Sequence, residues 1–420
     1  MKADINHKQE VCLAGRFRRL AGSSTVLIAA CLLLFEVGVN QIQPLRYFNH
    51  TGLTTIRQNF LVSKLPEALS SPNRADVLIL GSSLILVPAV RCDDELHSTR
   101  TRYDRWYTRN HISSYVKADY LQDRLADIIG KELTVSNLSV AASMVSDQYL
   151  ILKKYLASGK RPGALVVSIA PRDFLDNQRK EIEKTATYSI LADFTCLGDL
   201  LESRPSPQEL GDFVLGTISS YYKDRADYSC FFQSLASYVS GHPATNYAAA
   251  RGERVTNVQL SLFGQGESLL DGGNPVYETV ESVQTEIDHY KEMYLPINMQ
   301  CFNRQTDYLD KLLSLAEKSD IPTLVIDMPL TEANLSILPE TTKKEYQRMV
   351  RSVTARHECQ LIVADRSRQY FDSDFEDCAH MNAKGGKKLF DQIAVKLADP
   401  SYRLGVSGEK SLSIVPEATR

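Results

Sequence analysis

Beyond residue 75 the chain alternates between short apolar runs and longer segments whose apolar positions recur every three or four residues. The runs are Asp76–Leu80, Leu133–Leu138, Ala164–Ile169, Thr323–Met328 and Gln360–Ala364. Turn-forming residues bound them, as Ser70-Ser71-Pro72-Asn73 does before the first. Ala164-Leu165-Val166-Val167-Ser168-Ile169 is almost continuously apolar, the pattern of a strand buried on both faces. Helical spacing is predicted over Tyr115–Ile129, ended by Gly130, and over Asp147–Leu156, closed by Gly159 and Pro162-Gly163. Further helices are predicted around Thr306–Lys318, Glu345–Arg356 and Gly386–Leu397. Strands separated by such helices predict βαβ units, a parallel sheet and an α/β fold.

The rhythm lapses between residues 178 and 295. Polar helices, many tyrosines and turn clusters (Ser203–Pro207, Gly264-Gln265-Gly266, Asp271-Gly272-Gly273) occupy that stretch. It is expected to be a helical insertion or cap within a domain spanning about 75–400. Residues 401–420 read as a flexible tail, and 40–74 as a polar tether.

The N-terminus has a different pattern. Lys2, Lys8, Arg16, Arg18 and Arg19 precede an uncharged stretch from Leu20 to Phe35, which resumes as Val37-Gly38-Val39 after Glu36. The apolar span is about 16–19 residues, the short end for a membrane helix and long for a signal-peptide core. Three readings compete: a retained signal anchor, a cleaved signal peptide, and a lipoprotein signal through Ile28-Ala29-Ala30-Cys31. Leu32-Leu33-Leu34-Phe35 continues the apolar run past that cysteine, which favours the anchor. Residues 1–19 are then a cytoplasmic basic segment and 20–39 a single transmembrane helix. The basic flank places the N-terminus in the cytoplasm and the remainder outside the membrane.

With 43% hydrophobic and 24% charged residues, composition is that of a globular protein. The net charge of -3 and the lack of a basic stripe give no sign of nucleic-acid binding. Of the eight cysteines, Cys92, Cys196, Cys230, Cys301, Cys359 and Cys378 fall in the extracytoplasmic part, an even number that permits disulfides. No CxxC or CxxH spacing occurs, so neither a zinc site nor another cofactor is implied.

Two segments carry chemistry. Asp76–Leu80 ends in Gly81-Ser82-Ser83-Leu84, which sets a hydroxyl at a sheet's C-terminal edge, where open α/β folds bind ligands. About 300 residues later the chain reads Asp377-Cys378-Ala379-His380-Met381-Asn382-Ala383-Lys384-Gly385. An acid three residues before a histidine can turn back to hold its far ring nitrogen, leaving the other free to act as a base. Neither a Gly-x-Ser-x-Gly elbow nor a P-loop is present, which disfavours a conventional α/β-hydrolase and a nucleotide-phosphate site. The carboxylate and histidine clusters of a two-metal phosphoesterase are also lacking.

These two segments resemble the first and last sequence blocks of the SGNH (GDSL-type) hydrolases. The first block matches Leu78–Leu84, with Ser82 where Asp is common and Ser83 at the nucleophile. The last matches Asp377, His380, Asn382 and Gly385. The second block resembles Asn137–Ala142, with Ala142 or Ser139 at its glycine; the third resembles Ala170-Pro171-Arg172-Asp173, with Arg172 in place of its asparagine. The resemblance covers roughly residues 75–177 and 300–398. It implies a flavodoxin-like three-layer parallel sheet, a Ser83–His380–Asp377 triad, and an oxyanion hole drawn from Ser83, Ala142 and Arg172. The layout is also similar to membrane-tethered esterase-like proteins of cell-surface polymer modification. That similarity implies a serine esterase or O-acyltransferase acting on acyl, first of all acetyl, esters of a cell-surface or secreted polysaccharide. An acylated glycan is then the substrate and a membrane-bound O-acyltransferase a candidate partner. The rival reading is a catalytically silent scaffold of the same fold that binds a glycan or an assembly partner. The Tyr-rich stretch (Tyr221-Tyr222, Tyr228, Tyr238) is read as helix packing ahead of a sugar-stacking surface.

Overall fold

In the computed structural model the described residues are 24–42, 62, 64–99, 101, 115–225, 228, 232, 239, 280–363, 369–402 and 404. The apolar runs form the strands β1 (Val77–Leu80), β2 (Val135–Asn137), β3 (Ala164–Ile169), β4 (Thr323–Asp327) and β5 (Gln360–Val363). All pair in parallel, in the order β2-β1-β3-β4-β5. Every side chain of β1 and β3 is buried, which is why neither shows polar alternation. The chain leaves β1 for β2 on one side and later adds β3 on the other. The switch point therefore lies between β1 and β3, where a crevice opens beyond the strands' C-terminal ends.

Nine helices are referred to below: α1 (Ser24–Ile42), α2 (Lys64–Ser70), α3 (Ser83–His97), α4 (Asp119–Ile129), α5 (Val145–Ala157), α6 (Val280–Tyr294), α7 (Met299–Lys318), α8 (Glu340–Arg356) and α9 (Ala383–Leu397). α9 packs on α3 and α4, and α7 packs on α5 and α8. In α7 the Asn298 side chain accepts from Cys301 N and so starts the helix. Its buried Phe302, Leu309, Leu312, Leu313 and Ala316 keep the three-to-four spacing of a single packed stripe.

The chain divides into two units, residues 57–209 with 269–420, and residues 1–56 with 210–268. The first contains the whole sheet. It also holds α2, inside the expected tether, because Leu65 is an apolar anchor with no exposure and the Lys160 ammonium bonds the carbonyls of Ala68, Leu69 and Ser71 at the helix's end. The observed division overlaps the expected 178–295 insertion without coinciding with it. Residues 178–209 and α6 belong with the sheet.

In the second unit, Glu36 of α1 accepts from Ser219 Oγ at 2.7 Å and from the Ser220 and Tyr221 amides, capping the short helix Ser220–Lys223. Tyr221 packs edge-on against Phe35 and beside Tyr228, and Tyr222 bonds Asp212. These tyrosines are engaged in packing; Tyr238 lies outside the described residues. Along α1, Leu27, Ile28, Leu32, Leu33 and Leu34 are exposed. Among the described residues no helix is long and apolar enough to cross a membrane. Residues 20–23, which begin the expected apolar segment, lie outside them. Cys31, Cys92, Cys196, Cys301, Cys359 and Cys378 are free thiols. Cys12, Cys230 and most of the expected tail are likewise outside the described residues.

Candidate active site

Ser83 is the first residue of α3, reached by a turn that only glycine fits. A Cβ on Gly81 would stand 2.6 Å from Ile85 Cγ2 and 2.8 Å from Ser168 Cβ. The strand thus hands directly over to the helix, and Ser83 is held at the sheet edge with its hydroxyl half-exposed. Its amide lies in the first helical turn, where N–H groups have no intrahelical acceptor.

His380 arrives on a loop braced at many points. Asp377 Oδ1 accepts from the Ala379 and His380 amides at 2.7 and 2.6 Å. The Glu376 amide donates to the His380 carbonyl, and Phe375 pairs with Met381. Asn382 closes the loop: its Oδ1 accepts from Gly385 N while its Nδ2 donates to the carbonyls of Ser373 and Phe375. The loop is also tied to other elements. Arg91 of α3 pairs with Glu376 at 2.7 Å, and Thr331 donates to the Cys378 carbonyl.

The outcome is a chain of two hydrogen bonds. His380 Nε2 lies 2.8 Å from Ser83 Oγ, and His380 Nδ1 lies 2.7 Å from Asp377 Oδ2. Burial opposes a charge on the ring, yet the Asp377 carboxylate, aided by Glu376 and Glu286, outweighs it and holds His380 above its ordinary value. Burial likewise opposes ionisation of Asp377, but His380 and the two amides overcome it, and the carboxyl sits below its usual range. The arrangement fixes the tautomer with Nε2 available to take a proton from Ser83.

The oxyanion side departs from expectation in one residue. Ala142 has φ +62°, in the left-handed region that favours glycine. Its turn is stitched to the end of β1, since Val140 N and Ser143 Oγ both donate to the Gly81 carbonyl at 3.0 and 2.8 Å. Neither the Ser83 nor the Ala142 amide has a hydrogen-bond partner among the described residues. Arg172, expected as a third donor, is occupied elsewhere. Its two terminal nitrogens donate to the Ser143 carbonyl (3.0 Å), the Ala142 carbonyl (3.0 Å), Asp176 (2.9 Å) and Asp173 (3.4 Å). Those contacts use every terminal N–H of the guanidinium. Arg172 therefore positions the Ala142 turn from behind.

Several neighbours of the site carry no sequence signal beyond their spacing along one helix. Glu286, Tyr290 and Tyr294 recur at every fourth position and share one face of α6. Glu286 accepts from the Cys378 amide at 3.4 Å, and burial, then the nearby Asp377, raises its carboxyl. The Tyr290 and Tyr294 rings pack tilted at 46° with centroids 5.8 Å apart, and the Tyr294 hydroxyl bonds Asn334. The i, i+4, i+8 spacing was the readable clue. Among the described residues, Glu286, Asp377 and Cys378 bring potential metal-ligand atoms within 4.8 Å of one another. Asp377 is already committed to His380 and two amides, and burial, with Asp377 and Glu286, pushes the Cys378 thiol up to about 12.

Comparison with known protein families gave no matching family model, and no curated protein matched the sequence.

Proposed function

We propose that this protein is a serine esterase or O-acyltransferase of the SGNH type, anchored to a membrane by its N-terminal helix. Its sheet unit then works outside the cytoplasm on acyl esters, acetyl first among them, of a cell-surface or secreted polysaccharide. The observation that carries the reading is the 2.8 Å approach of His380 Nε2 to Ser83 Oγ with Asp377 bonded behind it. The flavodoxin-like strand order, with Ser83 beside the switch point, supports it further.

In the first step the Ser83 proton passes to His380 Nε2 while Oγ bonds the ester carbonyl carbon. The carbonyl oxygen takes up the negative charge, facing the amides of Ser83 and Ala142. Collapse breaks the bond to the alcohol, which leaves with the proton held on His380. The acyl-Ser83 ester is then attacked by water or by a glycan hydroxyl. His380 accepts the attacking proton and returns it to Ser83.

Arg172 favours a second reading, a silent scaffold of the same fold, because its commitment to the turn removes the side-chain donor expected of it for the oxyanion hole. Losing one such donor costs about 10²–10³ in rate, which slows a triad without abolishing it. A fluorophosphonate probe separates the two. Covalent labelling of Ser83 that disappears in Ser83→Ala and in His380→Ala is expected. A folded protein that takes up no probe would establish the scaffold instead.

A further inference from the structure

A cavity of about 810 Å³ lies beside the triad loop, and none of the triad residues lines it. That volume falls within the range of small-ligand sites. It opens beyond the C-terminal ends of two strands, at Asp327, the last residue of β4, and Val363, the last of β5. This is the edge where open α/β sheets bind ligands. Three of its walls run into the candidate active site. Pro171 immediately precedes Arg172. Tyr370, Phe371 and Asp372 lead into the loop of Asp377 and His380. Leu330 and Glu332 flank Thr331, whose hydroxyl bonds the Cys378 carbonyl.

From the chemistry of the lining we infer that this cavity is a saccharide subsite. It takes a neutral pyranose unit, a hexosyl or N-acetylhexosaminyl residue of the polymer, and disfavours a uronate. Phe371 is 59% exposed at its rim. The Lys388 ammonium, 5.3 Å from the ring centroid and itself bonded to Asp374, helps hold that ring in place. A fixed, exposed aromatic face is what the C–H face of a sugar ring packs against. Asp327 supplies a carboxyl that accepts the Tyr346 hydroxyl at 2.8 Å, which fixes its orientation. Glu332 and Asp372 add carboxylates, groups that accept from sugar hydroxyls. Against these three acids stand two bases, Lys343 and Arg351. The lining thus leans acidic, and a polymer carrying a carboxylate on every ring meets net repulsion. Burial pushes Asp327 up to about 6, with Tyr346 and Arg351 opposing, so near neutrality this carboxyl is mostly ionised and accepts from a sugar hydroxyl.

The assignment rests on the glycan reading above for its polymer context, but binding here needs no catalysis. The test is equilibrium binding of cellohexaose, chitohexaose and a mannuronate hexamer to the full-length protein carrying Ser83→Ala. One neutral hexamer is expected to bind at least about tenfold more tightly than the uronate. Phe371→Ala is expected to weaken it about tenfold, and Asp327→Asn to weaken it measurably. Phe371 is exposed and outside any helix or strand, so its loss spares the fold; should Asp327→Asn unfold the chain, Phe371→Ala decides alone. Absence of binding by both neutral hexamers at millimolar concentration, binding that Phe371→Ala leaves unchanged, or preference for the uronate overturns the subsite. Probe labelling of Ser83 without saccharide binding removes the subsite only. Saccharide binding without labelling removes the esterase only.

Discussion

At the scale of single residues, the candidate site depends on one proton-accepting nitrogen kept free by an acid behind it. On the esterase proposal, a base must be neutral to work, so the elevated His380 value sets the acid limb of activity above the ordinary histidine range near 6.5. Asp377→Asn removes the main cause of that elevation and permits the wrong tautomer. The limb is expected to move to lower pH, and the turnover of an activated ester to fall about 10⁴-fold, as loss of the orienting acid does in serine triads. A pH–rate profile of variant and parent checks both effects; an unmoved limb would detach Asp377 from the base. These residues were legible because each end of the triad is a local motif. Asp377 and His380 are three positions apart, and Ser83 follows a strand and a glycine. Arg172 was legible as a charged donor after β3, but no sequence spacing says which acceptors a guanidinium finds. Two carbonyls of a turn contributed by residues 142 and 143 claimed it.

At the scale of elements, the site is three strand-end turns fastened together. Gly81 is where they meet, because its carbonyl receives Val140 and Ser143 and its missing side chain admits Ile85 and Ser168. Gly81→Ala is expected to cost about 1–3 kcal/mol through overpacking and to displace Ser83 from His380. Denaturant titration alongside probe labelling reads the two losses separately. Ala142→Gly works the other way. It releases an alanine from the left-handed region, and about 1 kcal/mol of added stability with labelling retained is expected. The five strands were readable because burial on both faces leaves continuous apolar runs. β2 is shorter than its run, Val135–Asn137 within Leu133–Leu138, because an edge strand has one neighbour to pair with. α2 was hidden in the tether because it is only seven residues long and carries Pro66, a turn signal, in its first turn. The part played by α6 was hidden because a helix that contributes Glu286 and two tyrosines to a distant loop carries no local mark of its destination.

At the scale of the whole molecule, the sheet unit holds buried ionisable groups that bend its stability against pH in an unusual way. Burial raises Glu183 to about 7 and Asp327 to about 6. It also raises Asp173 to about 7, against the opposing pull of the Arg172 guanidinium, which Asp173 shares with Asp176. Each raised carboxyl binds a proton in the folded chain that the unfolded chain has already released above its ordinary value near 4. Stability from these groups therefore falls as pH rises from about 4 to 7. His380, also raised, adds stability below its ordinary value that is lost as pH climbs through the folded one. Lys64 acts in the opposite sense. Its ammonium is buried, bonded to the Tyr115 carbonyl at 2.7 Å, and burial lowers it to about 7. Between about 7 and 10.5 the unfolded chain holds the proton the folded chain has given up, so stability rises with pH there. The two trends meet in a minimum near neutrality, where most proteins are close to their best. Denaturant midpoints of the full-length protein at pH 5, 7 and 9 are expected to show that dip. Lys64→Met removes the charge whose burial causes the alkaline rise, so its curve should no longer rise above pH 7, where the buried thiols of Cys92, Cys301, Cys359 and Cys378, raised by burial, pull the other way; an unchanged rise in that variant would place the cause elsewhere.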